Sequence, residues 1–228
     1  MVSAAEPSPA RLLPCGETAL LVELASTETA AALTGRIQSL RAAGRTPWVD
    51  VADVVTGERT VLVVGAYPGF IAKARAALLE LACTPILPET AGGEGQRSAP
   101  LVEIPVIYDG PDLLAVAAHT GLSPQHVVAA HVGTDWKVGF TGFAPGFAYL
   151  IGGDPRLAVP RLAEPRPRVA AGSVALAGPY SGIYPTESPG GWHLIGHTDL
   201  TLWDLHRDPP AALRPGMRVR FRDAAGTS

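Results

Sequence analysis

The chain is poor in several things that define whole protein classes. Cys15 and Cys83 are its only cysteines in 228 residues, and no metal-binding spacing joins them. This excludes a disulfide-stapled scaffold or a zinc ribbon and makes a reduced, cytoplasmic protein the expectation. No apolar run reaches the length of a membrane span, and the opening MVSAAEPSPAR lacks the basic start and apolar core of a signal peptide. Neither sign of charge dominates. Eighteen Lys and Arg against 21 Asp and Glu leave a net charge of -3, so nothing draws the whole chain to nucleic acid or to an anionic membrane. The Walker A sequence and the dinucleotide fingerprint are both missing, so a nucleotide would have to be held by other means. No internal repeat or low-complexity tract is present.

What is there is globular: 47% hydrophobic and 17% charged residues, in a length that suits one large domain or two small ones. Residues 11–24 read as a hairpin about Pro14-Cys15-Gly16. Residues 27–43 follow a helical period, with Leu33, Ile37 and Leu40 on one stripe and Gly44 as a stop. WVDVADVV and RTVLVVGA read as strands, split by Thr56-Gly57-Glu58. Residues 68–82 form a second helical pattern carrying Ile71, Ala74, Leu78 and Leu81. This order predicts a small α+β sandwich with helices on one face of an antiparallel sheet. PETAGGEGQRSAP, residues 88–100, has linker composition and puts a boundary near residue 95.

After it, LVEIPVIY alternates as a strand. Asp109-Gly110-Pro111-Asp112 opens one short helix, and Ser123-Pro124 caps another through His131. Beyond Trp136 come short strands, DWKVGF, SVALAG, GIYP, WHLIGHT, TLWDL and MRVRF. They predict a β-barrel or compact β-roll. The expected domains are residues 10–90 and 98–224.

The segment from Gly139 to Trp192 is the most unusual. It holds ten Gly, eight Pro and seven of the fourteen aromatics, which describes a folded, turn-rich surface rather than a linker. In Gly142-Phe143-Ala144-Pro145-Gly146-Phe147, residues that permit or fix unusual backbone angles alternate with aromatics. Such a loop presents backbone N–H groups to a ligand, or forms a tight barrel corner plugged by Phe143 and Phe147. Arg156, Arg161, Arg166 and Arg168 alternate with Pro155, Pro160, Pro165 and Pro167. Stiff prolines hold guanidiniums apart, and Arg suits bidentate recognition of carboxylate or phosphate. A solvated arm partnered only by Asp154 and Glu164 has the same pattern.

Ser173 has Ala rather than Gly two places before and after it and sits in a strand pattern, so it lacks a nucleophile elbow. Its hydroxyl is expected to bond backbone or ligand. Ser188-Pro189-Gly190-Gly191-Trp192 reads as an anion-binding nest, or as a hairpin turn followed by a buried Trp192. His193 and His197 are expected to share a strand face. With no Cys or carboxylate beside them they make no metal site, and no metal is assigned.

GFAPGFAYL, DPRL, PRL, EPR, AGSVALAG, GIYP, SPGGW, LIG and RPGMRVRF, in that order and close spacing, resemble the family that comprises KipI, the first subunit of allophanate hydrolase and the B subunit of 5-oxoprolinase. CGETALLVEL and YDGPDL extend the resemblance from about residue 11 to 222. It departs at Ala170, where the family has Pro, at Tyr180 in place of Gln, and at His197 in place of Arg. The resemblance implies an α+β chain, with a small ferredoxin-like N-terminal domain followed by a cyclophilin-like β-barrel. It also implies one component, inactive alone, of an ATP-dependent 5-oxoprolinase that opens 5-oxoproline to glutamate. The partners would be a cyclophilin-like, KipA-like C subunit and a metal-binding A subunit, and ATP with Mg2+ would be bound in the complex. Arg161 and Arg166 would stabilise anions. Gly142, Pro145, Gly146, Ser188, Gly190 and Gly191 would shape the pocket or subunit interface, and Phe143, Phe147, Tyr149, Tyr184 and Trp192 would wall it. The same resemblance allows a regulatory protein that inhibits a sensor histidine kinase, or a carboxyltransferase component like that of urea carboxylase.

Overall fold

The computed structural model describes residues 10–84 and 99–225, and the chain divides into two units, Met1–Ser98 and Ala99–Ser228. Most of the expected linker, and the expected boundary at residue 95, lie outside the described residues. In the first unit β1 (Arg11–Cys15) and β2 (Ala19–Glu23) form the expected hairpin, turning at Gly16 with φ 67°. Helix α1 (Thr27–Ala42) starts at Ser26, whose hydroxyl accepts from Thr29 N–H while the Thr29 hydroxyl accepts from Ser26 N–H. This reciprocal cap satisfies two donors that the helix itself leaves open.

The next predicted strand begins late. Trp48–Asp50 form a 3-10 turn that sends Trp48 into the core, and β3 (Val51–Thr56) follows. With β4 (Thr60–Gly65) the sheet is antiparallel in the order β1-β2-β4-β3. Val61 and Val63 of β4 join Leu20, Val22, Ile37, Phe70, Ala74 and Leu78 in one core, α2 being Phe70–Cys83. Burial of alternate strand residues against helical stripes is the main stabilising term here. Thr34 and Thr56, both buried in that core, satisfy each other across 2.7 Å.

The second unit contains β5 (Leu101–Val106), α3 (Leu113–Thr120), α4 (Pro124–Val132), β6 (Trp136–Thr141), β7 (Ala148–Ile151), β8 (Arg166–Val169), β9 (Ser173–Ala177), β10 (Tyr180–Ile183), β11 (Ser188–Gly190), β12 (His193–His197) and β13 (Arg218–Asp223). Seven of these strands form one sheet in the order β12-β9-β10-β7-β6-β13-β5. Its two edges meet where Ile107 and His197 exchange backbone hydrogen bonds of 2.9 Å each, so the sheet is a nearly closed barrel. Glycine is required at this seam: a Cβ at Gly196 would overlap the Ile107 carbonyl oxygen, and one at Gly110 the Leu194 carbonyl. β8 and β11 pair separately as a two-stranded ribbon.

Three features differ from the sequence reading. TLWDL is not a strand; only Trp203 makes a bridge, to Ala211. β7, β8 and β11 are strands that the Gly- and Pro-rich composition concealed. Ribbon strands this short tolerate Pro167 and Pro189 because an edge leaves some N–H positions unused. Finally, His193 and His197 do not share a face. A register shift between Leu194 and Gly196 pairs His193 with Leu176 and His197 with Ser173. Leu176 and Ser173 lie an odd number of residues apart, so their cross-strand partners face opposite ways.

The core of this unit lies on one face of the sheet. Ile104, Val106, Trp136, Val138, Leu150, Val174, Leu176 and Phe221 meet Val116 and Val127 of the helices there. His131 is fully buried among them. It lies 2.8 Å from the Tyr108 hydroxyl and 2.9 Å from Ser181 Oγ, and it stacks on Phe221 with centroids 4.2 Å apart. Burial pushes its pKa down to about 3, so it stays neutral.

Candidate functional site

A second apolar cluster occupies the opposite face, and a bulge helps create it. Trp136 and Val138 of β6 point into the core, and simple alternation would send Phe140 after them. The register shifts between Val138 and Phe140, so Phe140 pairs with Tyr149 on the other face and stacks on it at 4.3 Å. Phe147 then meets Phe143, Tyr149, Tyr184 and Trp192 at 5.0–5.5 Å, and Tyr180 meets Tyr149 and Phe140 within 6 Å. All seven aromatics of the Gly139–Trp192 segment therefore form one cluster, largely edge to face. Ala175 and Ala177 of β9 provide its small-residue floor.

Phe143 is the exposed member. It is 60% exposed and holds φ 67°, a left-handed conformation that bulky residues rarely adopt. Its loop and Gly142, Pro145 and Gly146 line a depression of about 510 Å3 with Trp203 and Arg214. Phe143 is thus shared between the aromatic cluster and this depression, whereas the three smaller residues belong to the depression alone. The sequence reading has Trp203 only in a predicted strand, TLWDL, and Arg214 only in the motif RPGMRVRF, and assigns neither to a site.

Arg166 starts β8 opposite Gly190 of β11. Its Nη2 donates to Asp112 Oδ1 at 2.6 Å and its Nη1 to the Trp192 carbonyl at 3.5 Å. The other Asp112 oxygen accepts from Leu194 N–H at 2.7 Å. Asp112 stands at the start of α3, where its side chain makes no cap; it spans to the ribbon and β12 instead. Sequence reasoning placed Asp112 as a helix opener and missed this role. Arg156 pairs with Asp154 and the exposed Arg168 with Glu187. Arg161 is exposed and makes no ion pair or hydrogen bond among the described residues.

Tyr184 links the two groups. It is buried, and a Cβ at Gly190 would overlap its hydroxyl. Burial raises its pKa, while a hydrogen bond at Trp192 and the charges of Arg161 and Arg166 act the other way. Gly191 abuts Pro165, and its carbonyl accepts from Leu162 N–H at 2.8 Å. Ser188 Oγ is buried beside this ribbon without a partner. Ser173 is nearly buried at the barrel seam opposite His197, whose Nδ1 lies 2.8 Å from Asp109 Oδ1. Ser173 is tied to Tyr184 only through its backbone carbonyl. No cluster of three or more His, Cys, Asp or Glu side chains suited to a metal occurs among the described residues.

A sequence-family profile described as carboxyltransferase domain, subdomain C and D, matches residues 10–213. The chain belongs to this family. Within it, 123 residues are 54% identical to the B subunit of 5-oxoprolinase from Escherichia coli O157:H7, covering 53% of this chain and 56% of the relative. The protein of the same name in Bacillus subtilis is 48% identical over 124 residues, 53% of this chain and 52% of its own. The matches thus span little more than half of these relatives. Among solved structures, TTHA0988 superposes with a TM-score of 0.71 at 34% identity, covering 91% of this chain and 40% of that one.

Proposed function

We propose that this chain is one component of an ATP-dependent 5-oxoprolinase, opening 5-oxoproline to glutamate. The observation that carries this reading is the 54% identity to a relative named for that activity. The site geometry is compatible with it. A lactam is a poor electrophile, and its carbonyl needs activation by phosphoryl transfer, which builds anionic charge that fixed cations stabilise. Arg161 and Arg166 are the cations assigned to stabilise anionic groups of the substrate, Phe143, Phe147, Tyr149, Tyr184 and Trp192 the apolar wall, and Gly142, Pro145, Gly146, Ser188, Gly190 and Gly191 the shaping residues or the subunit interface.

The chain acts with a cyclophilin-like C subunit and a metal-binding A subunit, and is inactive alone. ATP with Mg2+ is assigned to the assembled complex. The smaller unit is a ferredoxin-like variant in which β1 fills the sheet edge beside β2, and the larger is cyclophilin-like. Two exposed free thiols suit a reducing cytoplasm. No helix among the described residues is long and apolar enough to cross a membrane.

The test combines the purified chain with the candidate A and C subunits and measures ATP-dependent release of glutamate from 5-oxoproline. Release is expected only with all three. Turnover that persists when this chain is omitted refutes the assignment.

A further inference from the structure

The four proline-braced arginines are electrically unequal. Arg156, Arg166 and Arg168 each already hold a carboxylate, at 2.6, 2.6 and 2.9 Å. Only Arg161 of the four carries a charge uncompensated by contacts among the described residues. Glu164, exposed in the same stretch, makes no ion pair with it. Among these four arginines a nucleoside triphosphate, with three or more negative charges, would find one uncompensated charge. One carboxylate would be matched.

The remaining geometry agrees with a single small anion. Asp112 is almost buried and holds both Arg166 and the Leu194 N–H, while the Trp192 carbonyl takes a second guanidinium nitrogen. Arg166 is therefore fixed in direction, with its side chain still 30% exposed. A fixed, partly open guanidinium recognises a planar anion with little loss of side-chain entropy. Beside it lies the Gly190-Gly191 turn: Gly190 pairs with Arg166, and the Gly191 carbonyl accepts from Leu162 N–H, next to Arg161, at 2.8 Å.

We infer that this face is a carboxylate subsite, formed by Arg161 and Arg166 about the Gly190-Gly191 turn, and that Asp112 is the positioning residue that aims Arg166. The inference rests on the 5-oxoprolinase reading for the identity of the ligand: the face holds the carboxylate of 5-oxoproline and not the phosphates of ATP.

The test titrates the isotope-labelled full chain with 5-oxoproline, with 2-pyrrolidone (the same ring lacking the carboxylate) and with Mg-ATP, followed by the Trp192 indole and Gly190 and Gly191 amide resonances. Saturable shifts with 5-oxoproline are expected. Losing one charge-assisted bond weakens binding about tenfold or more, so 2-pyrrolidone and the Arg161→Gln variant should both fall by at least that factor. Asp112→Asn should weaken binding similarly while leaving the remaining amide spectrum in place. If that variant fails to fold, the exposed Arg161→Gln still decides. The inference is overturned by equal binding of 2-pyrrolidone, by unchanged affinity in Arg161→Gln, by absence of saturable 5-oxoproline shifts, or by Mg-ATP shifting these resonances instead. Carboxylate binding without any glutamate release in the reconstituted complex would refute the function while leaving the subsite standing.

Discussion

His131 gives the second unit a built-in sensitivity to acid whose size follows from the structure. The imidazole is fully buried, touches two hydroxyls and stacks on Phe221, with no carboxylate among its hydrogen-bond partners to stabilise a positive charge. Burial lowers its pKa from 6.5 to about 3. Between those values the unfolded chain takes up a proton that the folded chain refuses, so stability falls as pH falls. At pH 5 the gap between the unfolded pKa and the solution is about 1.5 pH units, and at 1.36 kcal/mol per unit the loss is about 2 kcal/mol relative to neutral pH. Urea unfolding of the second unit at pH 7, 6 and 5 measures it, with His131→Gln as the comparison. The substitution costs about 1–3 kcal/mol at pH 7, because Tyr108 and Ser181 lose well-placed partners. It should also remove this increment of pH dependence, while the other histidines contribute equally to both proteins. Equal pH dependence of the two proteins between pH 7 and 5 would refute a neutral buried imidazole.

Three further outcomes are expected. Arg166→Ala leaves Asp112 buried and unpaired and should destabilise the second unit by about 3 kcal/mol, whereas Arg161→Ala, with no partner to strand, should leave its unfolding midpoint within error. Gly190→Ala forces a methyl into the Tyr184 hydroxyl and should cost about 1–3 kcal/mol by overpacking, read by urea denaturation; an unchanged midpoint would show that Tyr184 yields freely. In the first unit Thr34→Val strands the Thr56 hydroxyl and should cost about 1–3 kcal/mol, while the double variant with Thr56→Val should recover most of the loss. Non-recovery in that cycle would mean that the hydroxyl pair is not what the core requires.

Much of the architecture was legible along the chain. The hairpin at 11–24, both helices of the first unit and the Ser123 cap follow from local periodicity and capping chemistry, which act over a few residues. TLWDL failed because an alternating apolar pattern also suits a bridge in a loop packed on the barrel. The concealed strands β8 and β11 failed for the opposite reason: Gly and Pro lower local strand preference, and only pairing with a distant partner restores it. β7 is a four-residue AYLI set between glycine turns, too short for its alternation to stand out.

The sequence by itself determined that Gly139–Trp192 is a folded, aromatic surface bearing arginines, because composition alone rules out a linker. It determined which residue types were available for binding, and it marked the loops that glycine and proline would shape. Tertiary structure decided which of them act together. A bulge that turns Phe140 outward, another that sends His193 and His197 to opposite faces, and a carboxylate at position 112 reaching a guanidinium at 166 are all long-range pairings. Register and ion pairing depend on where two distant stretches meet, and no periodicity within either stretch encodes that meeting.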